Sequence, residues 1–103
     1  MASTDAHEVT AVLHALADPV RLEIVRQLAS ATAPIACGDF GLTVVKSTRS
    51  HHFRVLRDAG VIGSQRVAGR VLNELRRADL DASYPGLLDA VLGSHQDVEL
   101  EGA

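Results

Sequence analysis

The chain has 103 residues, enough for one domain of ordinary size and too few for two hydrophobic cores. Its apolar share of 47% supports a packed interior, yet Phe40, Phe53 and Tyr84 are the sole aromatic residues, so the core has to be aliphatic and is expected to be built mainly from helices. The formal net charge of -3 argues at first sight against a polyanionic partner, but it is very unevenly spread.

In chain order, Val9, Val12, Leu13 and Leu16 recur at helical spacing, which predicts a first helix capped by Asp5 and ending near Ala17. The segment ADPVRLEIVRQLAS restarts the pattern: Asp18 is a good N-cap, Pro19 suits the first helical position, and Val20, Ile24, Val25 and Leu28 share a side. Pro34, Gly38 and Gly41 break up TAPIACGDFGLT, which reads as a loop with at most a short helix around residues 37–42.

A helix is then predicted from about Val45 to Ala59, stopped by Gly60. Phe53 and Leu56, flanked by Val55 and Ala59, form its apolar side, while Lys46, Ser47, Ser50, His51 and Arg54 project together from the opposite one. Ser and Thr weaken helix interiors by bonding to nearby backbone, so a helix serving only the core has no use for them there. Next come two short strands, about 62–67 and 70–75, joined at Ala68 and Gly69 with Arg66 and Arg70 flanking the turn. A last helical region carries Leu80, Tyr84, Leu87, Leu88, Val91 and Leu92, with Pro85 starting its main helix or bending it. Residues 1–93 are therefore expected to form one domain, and residues 94–103 a flexible acidic tail.

Charge follows the same division. Residues 46–77 hold eight bases against Asp58 and Glu74, a surplus of six, whereas residues 78–103 hold six acids and no Lys or Arg. Cys37, the sole cysteine, excludes an intramolecular disulfide and a paired-cysteine metal site within one chain, and fits a reducing compartment. No run approaches the ~18 apolar residues of a membrane span, and MASTDAHEVT lacks the basic start and apolar run of a signal peptide. A cytoplasmic protein with no membrane partner is expected.

Three motifs in fixed order resemble one family. LADPVRLEIVRQL resembles the second-helix opening, STRSHHFRVLRDAGVI the recognition helix and RVAGRVLNEL the wing of ArsR/SmtB winged helix-turn-helix repressors, over roughly residues 8–92. Val45 and Arg49 depart from the pattern, standing where the family usually has a Ser N-cap and a Val or Ile. The resemblance implies a mainly helical winged helix-turn-helix fold with a small β-hairpin wing. It also implies a homodimer, built through the first and last helices, that binds a pseudo-palindromic double-stranded DNA operator and is released by an effector.

On that basis Lys46, Ser47, Ser50 and His51 are expected to reach base edges or flanking phosphates, Arg54 the backbone, and Thr48 either a contact or a packing place. His52 points away from His51 and is expected to pack on a neighbouring helix. Arg66 and Arg70 are candidates for phosphate or minor-groove contact. Leu13, Leu16, Leu88 and Val91 are the candidate dimer contacts. The competing reading is a winged-helix module that binds an acidic protein or RNA without operator specificity.

Enzymatic chemistry is not expected. Cys37 with His51 or His52 lacks a third orienting group, and no phosphate-cradling Gly-rich loop, carboxylate dyad or metal-binding spacing appears. No cofactor is called for.

The resembled arsenic sensors carry Cys-x-Cys in the third helix, whereas Ala36, Gly38 and Asp39 surround Cys37. The family's Asp-x-His and His-x-x-Glu site in the last helix is matched only by His95, and His7 and His14 lie two turns, about 10 Å, apart. The chain is thus expected not to be a zinc, nickel or arsenite sensor of those patterns. Cys37 is expected to be a buried or half-buried thiol, and is the one effector candidate, as a redox or electrophile sensor.

Overall fold

The computed structural model describes residues 8–93. Helix α1, Val9–Leu16, follows Glu8 at its N-cap; Asp5, the expected cap, lies outside the described residues. Helix α2, Pro19–Ser30, opens as expected, with the Asp18 carboxylate accepting from the backbone N–H groups of Val20 at 2.9 Å and Arg21 at 3.1 Å. Strand β1, Ile35–Ala36, leads into a single 3-10 turn, Cys37–Asp39, where Gly38 and Gly41 leave no room for a longer helix.

Helix α3, Lys46–Asp58, lies within a residue of its expected bounds at either end. Its end is fixed by sequence: Gly60, at φ +79°, donates to the Arg57 carbonyl at 3.0 Å and Val61 donates to that of Leu56 at 3.0 Å. Both bonds define a Schellman stop, and the left-handed Gly60 makes it inexpensive. Strands β2, Ile62–Val67, and β3, Arg70–Leu75, pair antiparallel from Ile62 opposite Leu75 to Val67 opposite Arg70. Ala68 at φ +52° and Gly69 at φ +81° give the tight turn whose twist matches the strands.

β1 adds to the other edge of β3, so the sheet order is β1-β3-β2. That third strand is absent from the sequence expectation, because two residues give no alternation to read. Helix α4, Arg77–Ser83, stops at a bend at Tyr84, and a turn through Pro85 and Gly86 precedes residues 87–93, which are again helical and are called α5 here. Pro85 thus divides the expected last helix into two.

One aliphatic core joins these elements: Val12, Ala15, Leu16, Ile24, Val25 and Leu28 meet Phe53, Leu56, Leu80 and Leu88. Phe40 packs edge-on against Phe53 with ring centroids 5.2 Å apart. Two expected faces need correction. In α1 the inward residues are Val12, Ala15 and Leu16, while Val9 and Leu13 remain 46% and 47% exposed; the protomer's core meets only one flank of the apolar stripe. In α2 the first inward place belongs to Arg21 and not to Val20, which is only partly buried.

Candidate nucleic-acid interface

Helix α3 presents two chemically opposite sides. His52, Phe53 and Leu56 are buried in the body of the protein. Lys46, Ser47, Thr48, Ser50, His51 and Arg54 are exposed together, the arrangement the spacing predicts, and Thr48 belongs to the open side. No described element covers this side. At its start, Val45 gives no side-chain cap, and its carbonyl accepts from Arg49 at 2.9 Å to open the helix.

The helix is held by a polar cluster that sequence reasoning did not find. Arg21 is only 7% exposed, and its guanidinium donates to the carbonyls of Ala15 at 2.8 Å and His14 at 3.1 Å, closing the C-terminus of α1. A third donor stands 3.1 Å from Nδ1 of His52, itself 8% exposed. Because a guanidinium only donates, this bond requires an unprotonated Nδ1 on His52. Asp18 lies 3.9 Å from the same nitrogen. Burial opposes the Asp18 charge, but the backbone N–H groups of Arg21 and Val20, with the positive charge of Arg21, outweigh it and hold the carboxyl below its ordinary value of 3.8. Arg21 was legible in principle: it falls at the i position of the run completed by Ile24, Val25 and Leu28, a cation on an apolar stripe.

A second buried polar residue organises the wing. Asn73 in β3 is fully buried; its amide donates to the Ile35 carbonyl at 3.1 Å and stands 3.2 Å from the Cys37 sulfur, while its oxygen accepts from the Ser64 hydroxyl at 2.6 Å. Cys37 is partly buried, and its thiol is thereby part of the join between β1 and the hairpin. Asparagine is depleted in strands, so its place between Val71 and Leu75 was the available signal.

Of the basic residues in 46–77, Arg70 pairs with Asp39, Arg76 with Asp79, and Arg77 with Asp81 and Asp89. Lys46, Arg49, Arg54, Arg57 and Arg66 make no ion pair among the described residues. The unpaired cations thus gather on α3 and at the wing tip. Of the expected dimer contacts, Leu16 and Leu88 are already buried in the protomer's own core. Leu13 and the partly buried Val91 retain apolar surface. His14 is exposed, His7 and His95 lie outside the described residues, and no described group of three His, Cys, Asp or Glu side chains could hold a metal ion. No described helix is long and apolar enough to cross a membrane.

A polar helix offered beside a basic β-hairpin, on four further helices and a short third strand, is the architecture of winged helix-turn-helix DNA-binding domains. No family model matches the chain. It is 32% identical over 82 residues, spanning 78% of this chain and 82% of the relative, to YceK of Bacillus subtilis (strain 168), an uncharacterized HTH-type transcriptional regulator. Among solved structures it resembles the homodimeric winged helix-turn-helix domain of Mb0332 from Mycobacterium bovis, a possible ArsR-family transcriptional regulator, at 24% identity, with 92% of this chain and 83% of that one covered and a TM-score of 0.67. It also resembles the transcriptional repressor BigR of Xylella fastidiosa, at 24% identity over 74% and 85% of the two chains and a TM-score of 0.60. The chain belongs to the helix-turn-helix transcriptional regulators, with the winged fold of their ArsR type, and is not an enzyme.

Proposed function

We propose that this regulator is a dimeric repressor that binds a specific operator through α3 and the β2–β3 wing and is released by an effector. The observation that carries the reading is the open side of α3: a row of hydroxyls, an imidazole and cations, on a helix whose other side is locked into the core. Such a helix fits the major groove, where Ser50 and His51 hydrogen-bond base edges, Lys46, Ser47 and Thr48 reach edges or flanking phosphates, and Arg54 meets the backbone. Arg66 and Arg70 at the wing tip lie against phosphates or enter the minor groove.

Dimerisation is supported by the exposed Val9 and Leu13 of α1 and the partly buried Val91 of α5, which leave apolar surface on the two terminal described helices. Repression is the role printed for BigR, and homodimerisation that for Mb0332; both are extended here to this chain. The acidic-protein or RNA reading gains no observation of its own. The experiment is selection of bound fragments from genomic DNA, followed by footprinting of the enriched site. Two protected half-sites with centres about one helical turn, ~10 base pairs, apart are expected; a single unpaired footprint would refute the dimeric reading, and no enrichment would refute operator binding.

A further inference from the structure

Between α3 and the wing, above the Cys37–Asp39 turn, opens a cleft of about 640 Å³. Its α3 wall carries Lys46, Arg49 and Arg57, its wing wall Arg66 and Arg70, and Asp39 is the one carboxylate among its lining residues. Arg49 and Arg57 have no place in the recognition set derived from the open side of α3. The position where ArsR-type chains usually have Val or Ile is here a cation that lines the cleft. A groove walled on both sides by cations, four of the five without an ion pair among the described residues, is built for an anion of repeated charge.

The geometry points to this cleft as the track of one DNA phosphate strand, with Arg49 and Arg57 as its phosphate-binding residues and Asp39 as its gate. The inference rests on the DNA-binding reading above. A duplex engaged by α3 in the major groove and by the wing beside it has to pass one backbone between them, so the walls of the cleft face that backbone. In the free protein the Asp39 carboxylate takes the phosphate's place on Arg70, 2.5 Å from the guanidinium. Both partners are more than half exposed, so the pair exchanges readily. Arg70 then passes from carboxylate to phosphodiester, and Asp39, now unpaired beside the strand, repels any backbone not held in place by α3. Asp39 therefore taxes random DNA more than the operator.

The test is fluorescence anisotropy of random and operator duplexes across a salt series, using the full chain and checking each variant's fold by circular dichroism. Arg49→Gln and Arg57→Gln are each expected to lower the slope of log affinity against log salt by about 1 on both duplexes, roughly a tenfold loss at 0.1 M salt. Arg26→Gln, on α2 and away from the cleft, is the control. Asp39→Asn is expected to tighten random-duplex binding about threefold or more, and the part of that gain due to repulsion of the strand should remain in an Arg70→Gln background. Unchanged slopes in both cleft variants, while Ser50→Ala still weakens operator binding, would overturn the track and leave the DNA reading standing. Absence of duplex binding by the wild type would sink that reading itself. Weaker or unaltered binding by Asp39→Asn would overturn the gate. Displacement of DNA by inorganic phosphate at constant ionic strength, lost in Arg49→Gln, would assign the cleft to a small anion instead.

Discussion

Replacing Arg21 by Met keeps most of the buried stem and deletes the guanidinium, which isolates the polar cluster that seats α3. Three hydrogen bonds disappear, to Ala15, His14 and His52. The His14 carbonyl keeps a partner, since Ala17 donates to it at 3.2 Å, so two acceptors are stranded: the Ala15 carbonyl and His52 Nδ1. An unsatisfied buried acceptor costs about 1–3 kcal/mol, and losing bonds to a charged donor adds to this, while relief of the guanidinium's desolvation subtracts. The net expected loss is about 2–5 kcal/mol, or roughly a 10–30 °C fall in Tm for a domain of this size. Urea unfolding followed by circular dichroism, at one fixed protein concentration so that any dimer linkage cancels, measures it. His52→Leu should also destabilise, and the double variant should lose less than the two single losses added together, because the residues share a bond. A loss below about 1 kcal/mol for Arg21→Met, or strict additivity, would refute the claim that this cluster holds the helix.

Three further outcomes follow from named contacts. Asp18 has a folded-state pKa below its ordinary value, so its charge contributes stability that is present above that value and is lost as pH falls through the lower folded one; Asp18→Asn, which still caps α2, should show a shallower loss in urea unfolding below pH 4, and an unaltered acid limb would contradict it. Asn73→Leu strands the Ile35 carbonyl and should cost about 1–3 kcal/mol by the same assay, with no loss pointing to a sheet that does not depend on the residue. Leu13→Asp places a charge on the exposed apolar side of α1 and should shift sedimentation at micromolar concentration from dimer to monomer, whereas an unshifted dimer would move the interface elsewhere.

What the sequence disclosed, it disclosed through local rules. Asp18 before Pro19, Gly60 after Ala59 and the Ala68–Gly69 turn each act within a few residues, and the structure places all three as expected. The two sides of α3 were legible because a 3.6-residue period separates Ser50, His51 and Arg54 from Phe53 and Leu56. Failures came where partners are distant in the chain. Arg21 meets His52 across 31 residues and Asn73 meets Ile35 across 38, so neither polar burial announces its partner. For α1, periodicity marked an apolar stripe without telling which flank a protomer covers, and Leu13 was grouped with Leu16 although only Leu16 enters the core. Leu88 fell to the same ambiguity at the other end of the chain.

Whether the open side of α3 reads a DNA sequence is decided by the ratio of affinities for the genomically selected duplex and a random duplex of equal length at physiological salt. A Kd of roughly 10⁻⁸ M or tighter for the selected site and a preference of about 10³ or more are expected, as specific protein–DNA complexes show. Equal affinities for both duplexes, falling together as salt rises, would contradict this reading and reduce the basic face to a charge that any polyanion can share.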